Sequence, residues 1–311
     1  MTPNNEVTLR FLAAPTDVGY SGNVDAGRVL EWIDKAGYAL AVGWCGKSSV
    51  TAFVGNINFT SPIRSGALVE VKARIVHTGR SSMHMKVRVD ALDQRTGVST
   101  PTTSCLMVFV ATDEEGRSTP VPTWQPVTPQ EVEDEASAVR RISLRAEIET
   151  AMAAQTYTDD GTAPSVTLRF LSAPTDVNWG GKVHGGYVMR WIDEAAHVIA
   201  SRWTGSTRNV AVYSGGIRFY RPMHIGDLVE VEARLLHTGT KSMHISVHVR
   251  SGNPAGGEMA LTTHGLTLFV QLDEDGNAVS CPKWVPVSDE DRALDSHAVE
   301  LVRLRAEVDN R

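Results

Sequence analysis

The sequence predicts an α+β protein built from two tandem domains, each an antiparallel sheet wrapped around one long buried helix. The segment "VTLRFLAAPTDV" at Val7 returns as "VTLRFLSAPTDV" at Val166, which indicates an internal repeat. Each repeat contains one helix with almost no polar face, as expected for a helix that is buried on nearly all sides. Strands with alternating side chains follow that helix, and a sheet that covers a single helix satisfies this order.

The repeat extends over most of the 311 residues. "LVEVKARIVHTGRSSMH" at Leu68 matches "LVEVEARLLHTGTKSMH" at Leu228, so the separation grows from 159 to 160 and the second copy has one inserted residue. A period of this length indicates two homologous domains, because solenoid repeats are much shorter. We predict an N-terminal domain at 1–128, a connecting helix and linker at 129–159, a C-terminal domain at 160–288 and a C-terminal helix at 289–311.

Each copy is predicted to contain a strand, the buried helix, a long hairpin and a further strand, in that order. In the first copy these elements are Val7–Leu12, Asp25 to about Gly43, Leu68–Val76 with Met83–Val89, and Thr103–Val110. Charges of both signs over 129–155 predict a helix with a solvated face, and "TYTDDGTAPS" has the composition of a linker.

The composition argues against several classes of function. A net charge of −6 is unsuited to nucleic acid, because phosphate binding requires a basic face. No apolar run reaches the ~18–20 residues of a membrane span, and "MTPNNEVTLRF" lacks the basic and apolar parts of a signal peptide. Three cysteines without a pattern indicate free thiols in a reducing compartment and no zinc site. We therefore expect a cytoplasmic protein with no metal, no nucleic-acid partner and no membrane span.

The start of the buried helix carries the residues that point to chemistry. It reads "GNVDAGRVLEWIDKAG" from Gly22 in the first copy and "GKVHGGYVMRWIDEAA" from Gly181 in the second. A carboxylate in an apolar helix is costly unless it is paired or used, so the aspartates of the two W-I-D segments are candidate functional residues. The equivalent positions of interest are Asn23 and Lys182, Asp25 and His184, Ala26 and Gly185, Gly27 and Gly186, and Asp34 and Asp193.

The motif G-[NK]-V-x-x-G-x-V-x-x-W-I-D, opening a buried helix, resembles the hotdog-fold acyl-CoA thioesterases, and the tandem arrangement resembles their double-hotdog members. The resemblance covers both repeats. It implies hydrolysis of acyl-CoA to a free acid and coenzyme A by a helix Asp together with an Asn from the neighbouring hotdog. It also implies that the glycine-rich helix start holds the thioester carbonyl and that the two hotdogs share one sheet. Acyl-CoA is then the substrate partner, and no separate cofactor is implied.

Helix geometry indicates that each site must combine both repeats. Asn23 and Asp34 are eleven residues apart, which at 1.5 Å per residue separates them by on the order of 15 Å. Neither Asn23 with Asp34 nor the equivalent Lys182 with Asp193 can therefore meet at one thioester carbon. We predict two composite sites: site one joins Asn23, Ala26 and Gly27 to Asp193, and site two joins Lys182, His184, Gly185 and Gly186 to Asp34.

Each group of these sites has an expected role in thioester hydrolysis. Backbone N–H groups at a helix N-terminus stabilise the charge that develops on the attacked carbonyl oxygen. The carboxylate either attacks the carbonyl carbon or removes a proton from water. A neutral Asn orients that water without changing the charge of the carboxylate.

The differences between the copies favour site one as the working site. Lys182 is expected to form an ion pair with Asp34, which would make that carboxylate a weaker base and leave site two impaired or able only to bind ligand. Site one keeps Asn23, although Asp25 adds a negative charge beside the developing oxyanion. His184 is expected to shape the helix start rather than to act as a base.

The two hairpin turns form a second match to the family, in the segment that contacts the nucleotide end of coenzyme A. Cationic and hydroxyl side chains suit phosphate groups, although an ordinary solvated turn has the same composition. The candidate residues are Arg80, Ser81 and Ser82 in the first copy and Lys241 and Ser242 in the second.

Two other functions remain open on the sequence alone. A non-catalytic acyl-CoA-binding or regulatory module would result if both sites were degraded. A hotdog hydratase or dehydratase needs an Asp paired with a His, and neither helix Asp has one suitably placed, since His197 lies a turn after Asp193 and Tyr38 takes the equivalent place. The charged terminal helices and the family resemblance also lead us to expect a homo-oligomer, with a trimer of tandem chains as one candidate assembly.

Overall fold

The computed structural model describes residues 4–158 and 160–309. Among them the α-helices are α1 (Ala26–Cys45), α2 (Pro129–Ala153), α3 (Gly185–Thr204) and α4 (Asp289–Asp309). The strands of the first repeat are β1 (Glu6–Leu12), β2 (Ser49–Val54), β3 (Ile57–Asn58), β4 (Leu68–Thr78), β5 (Ser82–Leu92) and β6 (Ser99–Ala111). Those of the second are β7 (Ser165–Leu171), β8 (Asn209–Phe219), β9 (Leu228–Thr238), β10 (Ser242–Gly252) and β11 (Ala260–Gln271).

The two buried helices begin and end at equivalent positions of the repeat. Asp25 and His184 occupy the extended N-cap positions of α1 and α3. Both helices continue to the residue before a glycine in the left-handed conformation, Gly46 with φ 64° and Gly205 with φ 67°. A residue without Cβ adopts that conformation at little cost, so α1 ends two residues beyond the predicted Gly43.

The strands of the described residues form a single antiparallel sheet in the order β1-β4-β5-β6-β2-β8-β11-β10-β9-β7, with β3 beside β8. The order is symmetric about its centre, where β2 of the first repeat pairs with β8 of the second through Phe53 with Arg218 and Val54 with Ile217. The predicted hairpin of the first repeat is β4–β5, and its strands extend beyond the predicted bounds. The two repeats therefore share one continuous sheet.

The main core lies between this sheet and the helices α1 and α3. Successive side chains of a strand point to opposite faces, so Val71 and Ala73 of β4 pack in the core while Arg74 contacts Asp134 of α2 on the other face. On that outer face α2 and α4 close a smaller apolar cluster, which includes Ile148 and Leu301. No helix within the described ranges is long and apolar enough to cross a membrane.

Helices α1 and α3 approach each other closely at their starts. A Cβ atom added to Gly27 would lie 3.0 Å from the Cα of Arg190, and one added to Gly186 would lie 2.8 Å from the Cα of Glu31. Contacts this short require glycine, because a side chain would push the backbones apart. The close approach places each helix start beside the first turns of the other helix, where Asp34 and Asp193 lie.

Candidate active site

Site one is a cavity of about 760 Å³ whose lining combines both repeats. Asn23, Asp25 and Ala26 reach it from the first repeat, and Asp193 reaches it from α3 of the second. The Gly27 N–H donates a hydrogen bond to Asp193 Oδ2 at 2.9 Å, which ties the start of α1 to the carboxylate of the opposite helix. The structure thus brings together the residues that helix geometry had assigned to site one.

Site two is a cavity of about 490 Å³ with the reciprocal construction. Lys182, His184 and Gly185 reach it from the second repeat, and Asp34 reaches it from α1. Asp34 Oδ2 lies 2.9 Å from the Gly186 nitrogen and 2.9 Å from His184 Nδ1. Thr51 on β2 donates its hydroxyl to Asp34 Oδ1 at 2.6 Å. The buried Asp34 carboxylate therefore has three polar neighbours, whereas Gly27 is the hydrogen-bond donor to Asp193.

The helix-start residues that were predicted to hold the thioester carbonyl fall into two groups, according to whether their backbone N–H is already hydrogen-bonded. The amides of Gly27 and Gly186 already donate to Asp193 and Asp34, so they position carboxylates. The preceding amides, at Ala26 and Gly185, make no backbone or side-chain hydrogen bond within the described part of the chain, and both residues line a cavity. A free N–H at the first position of a helix points at incoming negative charge, so these two amides are the candidate oxyanion donors.

The predicted ion pair between Lys182 and Asp34 is wrong. Lys182 Nζ lies 2.8 Å from His224 Nε2 instead, and no ion pair joins it to Asp34 within residues 4–158 and 160–309. The backbone of Lys182 is held in a turn, where it donates to Asn178 Oδ1 at 3.0 Å and accepts from Asn178 N–H at 2.7 Å. Because His184, Gly186 and Thr51 surround Asp34, a lysine is not needed to compensate its charge.

The electrostatics of site one favour the protonated form of its carboxylate. Burial raises the pKa of Asp193 to about 7, and the charges of Asp25 and Glu194 add to the rise, while the Gly27 N–H opposes it. Burial and the charge of Glu194 also raise the pKa of Asp25. The expectation that Asp25 places a second negative charge near site one agrees with this arrangement. A carboxyl group with a pKa near neutrality can exchange a proton with water at physiological pH.

Beside each cavity lies an inter-repeat pair of stacked rings that the sequence did not predict. In site one, Tyr20 stacks on His197 with ring centroids 5.4 Å apart. Beside site two, the repeat-equivalent Trp179 stacks at 4.9 Å on Tyr38, which lines the cavity. Tyr20 and Trp179 are 78% and 74% exposed, so they lie at the rims of the sites. The presence of aromatic residues at equivalent positions of the two repeats was the sequence signal that could have predicted these pairs. No comparable signal identifies Thr51, because its counterpart in the second repeat is Ala211.

A hydratase was expected to need a histidine at short spacing on the same helix as its Asp, and His197 is the only helix residue that the sequence offered for this role. His197 was not expected to fill it, and its Nε2 lies 3.3 Å from the hydroxyl of Ser201 on its own helix. The histidine beside Asp34 is His184, which comes from the other repeat and was predicted as a member of site two.

The hairpin turns predicted to contact coenzyme A lie outside both cavities. Their residues line neither site one nor site two, and the polar groups resolved there are local, such as Ser82 Oγ at 3.5 Å from His84 Nε2. The cavity mouths contain acidic turns instead, with Asp113 in site two and Asp275 in site one. In the described ranges no cluster of three or more His, Cys, Asp or Glu side chains could hold a metal ion.

Comparison with known proteins places this arrangement in a family. The thioesterase superfamily model matches residues 21–98 and 180–258, together half of the chain. A cytosolic acyl coenzyme A thioester hydrolase of Mus musculus is 24% identical over 92% of this chain and 79% of its own length. Protein VdlD of Helicobacter pylori is 30% identical over 45% of this chain and 80% of its own length. The structure of a putative oleoyl thioesterase from Lactobacillus plantarum covers 86% of this chain and 97% of its own at 10% identity, with a TM-score of 0.60, and shares the fold.

The chain therefore belongs to the thioesterase superfamily, with one domain of that family in each repeat. The predicted tandem hotdog fold and the predicted acyl-CoA thioester hydrolase function are confirmed at this level.

Proposed function

We propose that the protein hydrolyses acyl-CoA at site one, with Asp193 as general base. The observation that carries this proposal is the Asp193 carboxyl, which is partly buried, has its pKa raised to about 7, and shares its cavity with Asn23 and the free Ala26 amide. A base is most effective when its pKa lies near the working pH. The Gly27 N–H holds the carboxylate in place.

The reaction at site one follows from these positions. Asp193 takes a proton from a water molecule oriented by the Asn23 carboxamide, and the water oxygen bonds to the thioester carbon. The tetrahedral oxyanion accepts a hydrogen bond from the Ala26 N–H and is further stabilised by the dipole of α1. Its collapse breaks the carbon–sulfur bond, and the Asp193 carboxyl returns its proton to the departing thiolate of coenzyme A.

The walls of site one suit an acyl chain. Val29, Val212 and Phe269 line the cavity, and apolar walls bind alkyl groups without fixing one chain length sharply. The names of the relatives support the substrate class, since they include a cytosolic acyl coenzyme A thioester hydrolase and an acetyl-coenzyme A thioesterase, both of Mus musculus. We extend the proposal to the hairpin turns with Arg80 and Lys241 as contacts for the phosphates of coenzyme A.

A cytoplasmic location and a homo-oligomer belong to the same proposal. The cytosolic relative supports the first. Exposed valines on the outer faces of α2 and α4, including Val132, Val139 and Val299, support the second, because such patches are common in interfaces between subunits. Light scattering of the purified chain tests the assembly, and a trimer of tandem chains is the expected state.

The test of the proposed function compares two equivalent carboxyl groups. Thiol release is followed with a series of acyl-CoA substrates from acetyl to long chains, using the parent protein, Asp193→Asn and Asp34→Asn. We expect Asp193→Asn to lower kcat by about 10²-fold or more and Asp34→Asn to lower it less. In the Asp34→Asn variant, kcat should rise with pH with a midpoint near 7, because Asp193 must lose its proton to act.

Two outcomes would contradict this assignment. Parent-like turnover by Asp193→Asn would show that site one is not the main hydrolytic site. Tight acyl-CoA binding by the parent without thiol release from any substrate would favour the non-catalytic binding module.

A further inference from the structure

A third cavity lies on the outer face of the sheet, beneath α2, and belongs to neither site one nor site two. It has a volume of about 40 Å³ and shares no lining residue with the two larger cavities. A water molecule needs roughly 10–15 Å³ of such space, so this cavity can hold about three waters or one compact ion. The polar side chains that line it are those of Asn56, His84, Arg141 and Arg145.

A β-bulge in β2 separates this cavity from site two. Residues two apart share a face in a regular strand, but the register of β2 against β6 shifts between Thr51 and Phe53. Thr51 therefore reaches Asp34 on the helix side of the sheet. The Phe53 ring lies 5.0 Å from the guanidinium of Arg145 and lines the third cavity on the outer face.

The polar side chains of the third cavity offer hydrogen-bond donors to a ligand. Arg141 and Arg145 are cationic and carry no side-chain acceptor. Asn56 Oδ1 accepts from the Tyr213 hydroxyl at 2.6 Å, which leaves its NH₂ group as the donor that a ligand can use. No acidic side chain of the described residues lines the cavity. Charged donors without an acidic partner suit an anion.

The positive charges at this place are only partly compensated. Arg141 and Arg145 are four residues apart on α2, so their like charges are neighbours and repel each other. Glu149 lies 3.5 Å from Arg145 Nε and also forms an ion pair with Arg218. Burial lowers the pKa of Arg145; Glu149 opposes this effect and Arg218 adds to it. Within residues 4–158 and 160–309, no ion pair or hydrogen bond engages the half-buried Arg141.

Two residues of the cavity lining also have buried polar atoms without partners. Arg145 Nε and His84 Nδ1 make no hydrogen bond in the part of the chain that the structure describes. His84 is 4% exposed, and burial together with the charges of His77 and Arg145 lowers its pKa to about 4, so its ring is neutral near pH 7. Unsatisfied buried polar atoms are costly, so these groups favour a polar ligand in the cavity.

The second repeat has apolar packing where the first has these charges. The match of "AVRRISLR" with "AVELVRLR" makes Leu301 of α4 the equivalent of Arg141. Leu301 is fully buried and belongs to the same apolar cluster as Leu266, the equivalent of Leu106 in the wall of the third cavity. A half-buried arginine at the position of a core leucine is costly unless its charge is compensated.

We propose that the cavity beneath α2 binds a small oxyanion of the phosphate type, held by Arg141 and Arg145. Both guanidinium groups donate to the oxygens of the anion, and the Asn56 NH₂ and a proton on His84 Nδ1 add neutral donors. The volume suits a single phosphate group and excludes a nucleotide. Bound there, the anion connects α2 to β2 and β5, so it stabilises the folded protein.

The experiment measures binding of inorganic phosphate near neutral pH by titration calorimetry and by the midpoint of thermal unfolding, with sodium chloride keeping the ionic strength constant. Two neighbouring arginines of α2 are compared. Arg141→Gln removes a charge from the cavity, and Arg140→Gln removes the same charge from an exposed position. We expect saturable binding by the parent, a loss of affinity of about tenfold or more in Arg141→Gln, and little change in Arg140→Gln.

Arg141→Leu separates binding from folding, because it introduces the residue that α4 carries at the equivalent position. We expect this variant to unfold at a higher temperature than the parent in phosphate-free buffer, since an uncompensated charge is replaced by an apolar side chain. Its unfolding temperature should no longer rise when phosphate is added.

Three outcomes would overturn the inference. The first is the absence of saturable phosphate binding by the parent. The second is equal weakening by Arg140→Gln and Arg141→Gln, which would indicate general attraction to a basic surface. The third is loss of binding in Arg80→Gln while Arg141→Gln binds like the parent, which would place the phosphate at the hairpin turn. None of these measurements uses thiol release, so the inference and the proposed function fail separately.

Discussion

Sites one and two begin from the same motif but surround their carboxylates with different groups. In site one, Asp193 receives a backbone hydrogen bond from Gly27 and faces the acidic Asp25, so its proton is held more tightly. In site two, His184 takes the place of Asp25, and Thr51 adds a hydroxyl where the first site has Ala211. Two substitutions outside the shared W-I-D helix segment therefore give its Asp different polar neighbours in the two sites.

The largest expected difference between the sites is in how stability depends on pH. Asp193 has a folded-state pKa of about 7 against an ordinary value of 3.8, so the folded protein binds this proton more tightly. The resulting stability is present below about pH 4 and is lost as the pH rises through 7. At about 1.4 kcal/mol for each pKa unit, Asp193→Asn should stabilise the protein at pH 8 by up to about 4 kcal/mol.

Chemical denaturation of the parent, Asp193→Asn and Asp34→Asn at several pH values measures this effect. Asp34→Asn should not stabilise, because its new NH₂ group would face donors from Thr51, Gly186 or His184. If the two substitutions changed the free energy of unfolding equally at every pH, the proposed electrostatic difference between the sites would be contradicted.

A smaller effect is expected from the glycines that let the helices approach. Gly186→Ala would place a Cβ 2.8 Å from the Cα of Glu31, and Gly27→Ala would place one 3.0 Å from the Cα of Arg190. Such crowding costs between about 1 and 3 kcal/mol, with Gly186→Ala the more destabilising of the two. Thermal unfolding of each variant measures the cost. Gly43→Ala is the matched control, since nothing lies within 4 Å of its added Cβ and α1 should gain helix propensity.

The next largest effect on stability is expected from removing the hydroxyl of Thr51. Thr51→Val keeps the shape of the side chain and removes the donor to Asp34 Oδ1, which should cost about 1.5 kcal/mol because His184 and Gly186 still contact the other oxygen. The reciprocal change, Ala211→Thr, offers site one the hydroxyl that it lacks. Urea denaturation measures the free energy of unfolding of both variants. If Thr51→Val leaves that free energy equal to the parent's, this hydrogen bond contributes nothing to holding Asp34.

The smallest expected effect concerns the stacked rings at the rims. Double-mutant cycles on Tyr20 with His197 and on Trp179 with Tyr38 should give coupling energies of about 0.5–1 kcal/mol in unfolding. The pair of site two should couple more strongly, because its centroids are 4.9 Å apart against 5.4 Å in site one. A larger coupling in site one would reverse this part of the comparison.

Much of the fold could be predicted because its signals are local. The repeat, the apolar helix and the alternating hairpin strands can each be recognised from a short segment of sequence. The rise of the helix also shows that a carboxylate eleven residues from Asn23 cannot share a site with it. No local sequence pattern predicted the short strand β3 or the pairing of β2 with β8 that joins the two repeats. The Gly27 amide donates to Asp193 while the adjacent Ala26 amide is free, and this difference depends on tertiary contacts that sequence spacing does not show.

The sequence by itself determined that there are two domains, that each site is composite, and that Asn23 belongs with Asp193, because periodicity and helix rise are properties of the chain alone. Only the tertiary structure decided that Lys182 turns to His224 and that His184, rather than Lys182, is the side chain in contact with Asp34. Those contacts join residues 42 and 150 positions apart, and they depend on how the buried helices cross. The physical reason is that a buried polar group takes whichever partner the packing brings within hydrogen-bond distance, and packing is a property of the whole fold.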